Sequence, residues 1–458
     1  MQCYQILYIT HLSLMLASTP IHIFWFRRDL RLHDNAGLYH ALRSGKPVLP
    51  IFIFDKNILD ELHDAPGVPT LDKRVIFIHD ALTDMKQQLR AMGSDLQVYY
   101  GHPETIRKSI LSDFPVAAVY TNRDYEPYAQ QRDTGVKALL QSGGIGFHTY
   151  KDHVIFEQGE VLKDNGEPYT VYTPYSKKWK EKFRSFYVKA YPTERYYHNF
   201  YTTATPTPLI PLEEMGFQPA DISFPATEIS DSLIQHYPET RDFPAISGTS
   251  RMSVHLRFGT VSIRQLVRQS VAAHGEKFLN ELIWRDFYSM ILFHFPSVVS
   301  SSFRPEYDRI QWRNNEQEFK AWCEGKTGYP IVDAGMRELN ATGYMHNRVR
   351  MIVASFLTKH LLIDWRWGEA YFAKKLLDFD LASNNGGWQW AAGTGVDGGP
   401  YFRAVKPYLP TPKFYGQPQY KRPWVPEIHS PENPAPIVDH DVARKRCLEV
   451  YKVGLGKD

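Results

Sequence analysis

The sequence predicts an α/β domain built on a doubly wound, Rossmann-like parallel sheet, followed by a long linker and an all-helical domain. Three observations carry this prediction. Up to residue 150, short apolar runs alternate with helical patterns, as in parallel sheets that helices cover on both faces. From about residue 226 the apolar spacing is helical throughout. The stretch from Tyr201 to Pro225 is rich in Pro and Thr, which is typical of a surface linker.

Five strands are predicted, four as buried apolar runs and the last on a weaker pattern: Ile21 to Phe26, Val48 to Phe54, Leu96 to Tyr100, Val116 to Tyr120 and Gly146 to Tyr150. Helical spacing between them is clearest at 71–92 and 128–141. Folds of this class bind ligands at the carboxyl ends of the strands. Arg27, Arg28 and Asp29 follow the first strand, so the GxGxxG fingerprint of dinucleotide-binding sheets does not stand there.

These patterns divide the chain into an extension at 1–20, an α/β domain at 21–150, a linker at 151–225 and a helical domain at 226–458. The extension is expected to be disordered, because polar residues interrupt its apolar ones and it lacks the basic start of a signal peptide. No uninterrupted run of about 20 apolar residues occurs, so no membrane span is expected. Helices of the last domain are expected at 263–274, 277–295, 315–323, 330–342, 348–359, 367–377 and 442–451.

Charge and cysteine content narrow the class of protein. A net charge of +3 over 458 residues is too small for a protein that coats nucleic acid with its whole surface, although it allows a local basic patch. Cys3, Cys323 and Cys447 lie far apart and form no CxxC pair. We therefore expect neither a disulfide framework nor a cysteine metal site, and we expect a cytoplasmic location.

Six segments, in this order and spacing, indicate a family. They are WFRRDLRLHDN at 25–35, GTSRMS at 248–253, ELIWRDFY at 281–288, GKTGYP at 325–330, MHNRVRM at 345–351 and DFDLASNNGGWQW at 378–390. From about residue 21 to residue 428 the chain resembles the photolyase/cryptochrome flavoproteins, most of all the class I cyclobutane pyrimidine dimer (CPD) photolyases. The resemblance implies a monomeric, light-driven repair enzyme whose reduced FAD gives an electron to a pyrimidine dimer in double- or single-stranded DNA.

Glu281 and Trp284 stand three residues apart on a predicted helix and share one of its faces. Without the resemblance, an amphipathic helix with one core Trp and a surface Glu is the ordinary explanation. The resemblance assigns Glu281 to the base edge of the dimer and to the flavin site, and makes Trp284 a platform on which the flipped dimer stacks. A dimer is poorly paired and poorly stacked, so it is cheaper to extrude than an intact base pair.

The segment 345–351 carries two pairs of polar or sulfur-bearing residues. Asn347 and Met351 share a helical face, and the resemblance places both at the dimer or the flavin. Arg348 and Arg350 are two apart, roughly 200° around a helix, so they serve different surfaces. The resemblance directs Arg348 to DNA phosphate and Arg350 to the flavin, with Asp378 as its partner.

Asp378 and Asp380 alone would indicate a helix N-cap or a metal pair. Because no further ligands lie nearby in sequence, no metal is expected, and the resemblance assigns both to the flavin site. Asn384 matches the residue that faces flavin N5. Plant-type cryptochromes have Asp there, whereas Asn is the usual photolyase residue and helps to keep reduced flavin stable.

Tryptophans 388 and 390 point to opposite sides of a helix. For any single Trp, a place in the core is the ordinary explanation. The resemblance makes Trp388 the flavin-proximal end of an electron-transfer chain that continues through Trp365 and Trp312. It makes Trp390 a second stacking platform for the dimer.

The resemblance also assigns a set of flavin contacts: Tyr237, Thr249, Ser250, Arg251, Met252, Ser253, Phe278 and Arg285. An N-cap would explain the hydroxyl residues of this set as well. DNA contacts are expected at Arg241 and Arg403, in addition to Arg348 and the two platforms. Downstream of Arg403, Lys406 and Tyr415 depart from the usual family pattern.

Three alternatives and one cofactor question stay open at this stage. The alternatives are a signalling cryptochrome, a (6-4) photolyase and a DASH cryptochrome. The usual His-bearing pattern of (6-4) photolyases differs from segment 345–351, and DASH cryptochromes usually lack the string at 384–388. In the α/β domain, Tyr128 and Ala129 replace the Asn-Glu pair that binds a folate antenna in some members. A folate antenna is therefore doubtful, and a second chromophore of another kind remains open.

Overall fold

A computed structural model describes residues 20–65, 67–398 and 418–456 of the chain. These residues form two compact units. The first contains the described residues up to Ile155, together with Ser185–Thr227 and Phe258–Leu266. The second contains Phe156–Arg184, Glu228–Arg257 and the described residues from Val267 onward. The extension predicted at 1–20 lies, but for Pro20, outside the described residues.

The first unit is built on a five-stranded parallel sheet with the strand order β3-β2-β1-β4-β5. Its strands are β1 (Ile21–Phe26), β2 (Val48–Asp55), β3 (Gln97–Gly101), β4 (Val116–Asn122) and β5 (Gly146–Tyr150). Every residue of β1 and β2 is buried, as expected for central strands covered on both faces. The predicted doubly wound sheet is confirmed, and the strand order reverses on the two sides of β1.

Helices follow the strands of the first unit: α1 (Ala36–Arg43), α2 (Lys56–Leu59), α3 (Lys73–Ala91), α4 (Pro103–Asp113) and α5 (Pro127–Ser142). Asn35 starts α1 because its side-chain oxygen accepts from the Leu38 backbone N–H at 3.1 Å. Asp72 caps α3 in the same way. Pro at the first position starts α4 and α5, where no backbone N–H is needed.

The second unit is helical. Its helices are α6 (Tyr172–Lys182), α7 (Asp231–Thr240), α10 (Glu276–His294), α11 (Glu316–Glu324), α12 (Pro330–Thr342), α13 (Asn347–Ser355), α14 (Trp365–Lys375), α15 (Leu381–Ala392), α16 (Pro418–Lys421) and α17 (His440–Gly454). The sequence segments of α8 (Ser253–Phe258) and α9 (Ile263–Ala272) each continue from one unit into the other. The predicted helical domain is thus confirmed as a fold class.

One predicted helix, 348–359, is divided. Helix α13 ends at Ser355, and a π-helical turn occupies Phe356–His360. The Leu361 backbone N–H donates to the Phe356 carbonyl, five residues back. A single π turn leaves the apolar spacing helical, so the residue pattern does not reveal it. No helix in the described part of the chain is both long enough and apolar enough to cross a membrane.

The structure differs from the prediction of a linker over 151–225. Helix α6 lies inside this range and belongs to the second unit. Trp179 on α6 is 1% exposed, and its indole N–H donates to Asp286 Oδ2 at 3.0 Å. Residues 185–227 belong to the first unit instead. The range therefore supplies packed segments to two cores, because large aromatic side chains in it are buried.

Candidate active site

The second unit contains a half-open cavity of about 690 Å³. Its walls come from α7, the segment leading into α8, and helices α10, α13, α14 and α15. Most of the predicted site residues border it: Tyr237, Arg241, Thr249, Ser250, Arg251, Met252, Ser253, Phe278, Glu281, Trp284, Arg285, Asn347, Arg348, Arg350, Met351, Asp378, Asp380, Asn384, Trp388 and Trp390. The sequence segments that suggested a common site therefore meet in space.

Two of the predicted residues that the structure describes do not line this cavity. Trp365 and Trp312 lie in the surrounding structure rather than among the residues that line the cavity. Arg403 lies outside the described residues, as do Lys406 and Tyr415, where the chain departs from the family pattern.

One side of the cavity is formed by a short hydroxyl-bearing segment, 249–253. Arg251 in this segment has a φ of 53°, an uncommon conformation for a residue with a side chain. Its guanidinium lies over the Tyr344 ring, 4.4 Å from the centroid. The Ser250 hydroxyl accepts from the Met252 backbone N–H at 3.3 Å. The segment thus turns sharply and presents polar groups and an arginine at the cavity wall.

An ion pair joins α13 to the segment before α15. Arg350 Nη2 donates to both carboxylate oxygens of Asp378, at 3.1 and 3.0 Å, and Arg350 Nε donates to the Met345 carbonyl at 2.7 Å. Burial would lower the pKa of Arg350, but Asp378 more than compensates and raises it above its ordinary value. The guanidinium is therefore a fixed positive group at the cavity wall.

A second set of ion pairs lies at another part of the wall. Arg241 donates to Glu281, and its guanidinium lies 5.3 Å from the Tyr237 ring centroid. Arg348 donates to Asp242. Both arginines were expected to contact DNA, and here each is paired with a carboxylate of the same unit. A guanidinium has five N–H donors, so each arginine could bind a phosphate with donors that the carboxylate leaves free, or exchange partners.

Asn384 has a partner that the sequence did not indicate. Its amide nitrogen donates to Glu369 Oε1 at 2.8 Å and to the Glu369 backbone carbonyl at 3.2 Å. The amide therefore turns its oxygen away from Glu369. Burial raises the pKa of Glu369, and the hydrogen bond from Asn384 opposes that rise. Glu369 lies 15 residues from Asn384 and has no motif of its own, so only the fold reveals the pair.

The predicted tryptophan chain is located in the core beside the cavity. Trp388 is 2% exposed and Trp365 is 1% exposed. Trp312 is half-buried, and its ring meets the Tyr451 ring edge-on at a centroid distance of 5.9 Å. Trp322, which the sequence did not single out, has its ring centroid 6.0 Å from that of Trp388.

The two tryptophans expected to stack on a dimer both border the cavity. Trp284 is on α10 and Trp390 on α15, and both are half-buried. Trp390 therefore differs from Trp388, two residues away, which packs against Phe372 with a centroid distance of 5.0 Å. Aromatic faces at a half-open cavity can stack on a planar ligand.

Comparisons with known proteins agree with this architecture. The family model described as "DNA photolyase" matches residues 22–195, and the one described as "FAD binding domain of DNA photolyase" matches residues 278–433. A deoxyribodipyrimidine photo-lyase from Halobacterium salinarum is 36% identical over 96% of this chain and all of its own length.

Two solved structures are similar over nearly the whole chain. A bacterial class III photolyase from Agrobacterium tumefaciens superposes with a TM-score of 0.83 at 33% identity, covering 95% of this chain and 98% of its own. An archaeal photolyase from Sulfolobus tokodaii, described as containing two FAD molecules, superposes with a TM-score of 0.77 at 34% identity, covering 94% of this chain and 99% of its own.

Proposed function

The chain belongs to the DNA photolyase family, and on that premise we propose that it splits cyclobutane pyrimidine dimers in DNA by light-driven electron transfer. Photolyase-type DNA repair follows from the family itself. The choice of dimer is our proposal. The observation that supports it is that a single cavity is lined both by polar residues suited to a cofactor and by two tryptophans suited to stacking.

The residues of the cavity fit FAD. A volume of about 690 Å³ lies within the range of roughly 300–1,000 Å³ that is usual for ligand sites. The hydroxyl-bearing segment 249–253 and Arg251 suit the phosphates, and the fixed guanidinium of Arg350 suits a ring that gains negative charge on reduction. When bound and reduced, FAD supplies the light-excited electron. Arg350 and Asn384, which line the cavity, would hold the ring of the cofactor.

The substrate site would use Trp284 and Trp390. Stacking on an aromatic face contributes roughly 1–3 kcal/mol per base and does not depend on base identity. A flipped dimer has two bases that no longer pair well, which makes its extrusion cheaper than that of intact bases. Glu281 borders the same wall. Its carboxylate would separate from Arg241 and bind the base edge of the dimer. The released guanidinium would be available to a DNA phosphate.

DNA backbone binding would come from the arginines at the wall. We propose Arg241 and Arg348 as phosphate contacts, because each is half-buried and ends beside the cavity. Arg403 is proposed from the sequence alone. Such contacts predict sequence-independent affinity that falls with salt, for dimers in either single- or double-stranded DNA. We propose that one protein molecule acts alone, in the cytoplasm.

We also propose that Tyr128 and Ala129 do not hold a folate antenna. The Tyr128 phenol donates to Asp55 Oδ2 at 2.6 Å. The guanidinium of Arg132 lies 5.6 Å from the centroid of the Tyr128 ring. The side chain that replaces the folate-binding amide is therefore engaged with its own unit, and an antenna of another kind would need other contacts.

The proposal is tested by illuminating the purified, FAD-loaded and fully reduced protein with a dimer-containing oligonucleotide. Loss of the dimers under blue light, and not in the dark, is expected. The Trp284→Ala variant should bind the dimer more weakly while its affinity for undamaged DNA changes little. Absence of repair by protein that carries reduced FAD would contradict the proposal and favour a signalling role.

A further inference from the structure

Tyr172 stacks on the platform residue Trp284. The two rings are nearly parallel, at an interplanar angle of 4°, and their centroids are 3.6 Å apart. Trp284 lines the cavity, whereas Tyr172 is not among the residues that line it. One face of the indole is thus covered by Tyr172, while Trp284 still borders the cavity.

Tyr172 is itself held in place by a hydrogen bond and by an aromatic contact. Its phenol donates to the backbone carbonyl of Asn280 on α10 at 2.8 Å. Burial raises the phenol's pKa to about 12, so it remains a donor at neutral pH. The ring of Phe287 stands perpendicular to both stacked rings, at 79° to Tyr172 and 81° to Trp284. The buried side chain of Phe287 therefore packs against both rings and supports the stacked pair.

From this geometry we propose that Tyr172 is a positioning residue that fixes the plane of Trp284 for stacking on a dimer. This inference rests on the proposed function, because it concerns how the same site selects its substrate. Tyr172 does not line the cavity, so it is not expected to touch the flavin or the dimer's reacting bonds.

A fixed platform improves affinity because the indole has no rotamer freedom to lose when the dimer binds. Aromatic pairing itself contributes a further increment beyond buried area. Removing the Tyr172 ring should therefore weaken dimer binding about three- to tenfold. Affinity for undamaged DNA depends on phosphate contacts and should change little.

The experiment measures dissociation constants in the dark for a dimer-containing oligonucleotide and its undamaged copy, using FAD-loaded protein. Tyr172→Leu removes the ring, and Tyr172→Phe keeps the ring but removes the hydroxyl. The Leu variant should lose three- to tenfold in affinity for the dimer only. The Phe variant should recover most of that loss, which a general packing defect would not allow.

Several results would overturn the inference. Unchanged or tighter dimer binding by Tyr172→Leu would do so, since tighter binding means that Tyr172 covers the stacking face. If the Leu variant loses FAD, Tyr172→Met decides, because the flexible Met side chain fills the space without offering a planar ring. Undiminished dimer selectivity in that variant refutes the inference. Wild-type protein without any preference for the dimer would instead refute the proposed function.

Discussion

The ion pair between Arg350 and Asp378 should contribute strongly to the stability of the second unit. Arg350 Nη2 lies 3.0 and 3.1 Å from the two carboxylate oxygens of Asp378. The Asp378 side chain is 7% exposed and that of Arg350 is 24% exposed. Removing one partner of a fully buried pair costs roughly 3–5 kcal/mol, because the other charge is left uncompensated.

For Asp378→Asn we expect a smaller loss, about 2 kcal/mol. Arg350 is partly exposed, so water screens its charge, and the new amide still offers one oxygen as an acceptor. Arg350→Met should cost a similar amount, since it leaves a carboxylate that is mostly buried. The double variant should cost little more than either single one, because neither charge is then left alone.

The assay is urea unfolding of the FAD-loaded protein, followed by the release of bound flavin, for wild type, both single variants and the double variant. The coupling energy from this cycle should be about 1.5–2 kcal/mol. A cycle in which the two losses simply add would refute the reasoning, because it would mean that the contact does not stabilise the fold. A buried Leu→Ala control, Leu339→Ala, should lower stability without coupling to either residue.

Three further predictions use other parts of the second unit. Trp388→Phe should block light-driven reduction of oxidised flavin while chemically reduced protein still repairs, and loss of both would contradict the proposed electron path. Glu369→Leu should free the Asn384 amide to turn and lower the flavin reduction potential by about 20 mV, the equivalent of one hydrogen bond of about 1 kcal/mol; an unchanged potential in spectroelectrochemistry would argue against it. Burial lowers the pKa of His360 from 6.5 to about 3, with His440 adding to the shift. Stability should therefore fall as pH drops below 6.5, because the unfolded chain takes up a proton that the folded chain refuses, and His360→Phe should remove about 2 kcal/mol of that loss at pH 5 in thermal melts.

The strands of the first unit were predictable because a central parallel strand is buried on both faces. Such strands appear as continuous apolar runs, and the bounds of β1 were predicted to the residue. The π turn at Phe356–His360 was not predictable in the same way. It changes the backbone hydrogen bonds of one turn while the side chains keep an apolar, helix-like spacing.

The candidate site was predictable as a set of motifs but not as a set of contacts. The sequence grouped Asn384 with flavin-binding residues, and the structure places it at the cavity with its amide nitrogen on Glu369. Likewise, Trp322 approaches Trp388 although 66 residues separate them. Neither partner has a sequence pattern of its own, because a single contact between distant segments leaves no periodic trace.

Helix α10 joins the cavity to a segment inside the range 151–225, which was predicted to be a linker. Glu281, Trp284 and Arg285 on this helix border the cavity. Asp286, the next residue, instead accepts from the Trp179 indole N–H and from the Phe156 backbone N–H.

The side of α10 that carries Asp286 thus anchors the segment containing α6, whose first residue, Tyr172, returns to stack on Trp284. The segment looks irregular in sequence because its order comes from contacts with α10 rather than from its own periodicity. If that account is correct, Asp286→Asn should weaken the hold on α6 and reproduce, in part, the loss of dimer selectivity expected for Tyr172→Leu. Faster amide exchange at Trp179 would show that α6 is loosened in this variant. If its dimer selectivity were nevertheless unchanged, the anchoring of α6 by Asp286 would not be needed to position Trp284.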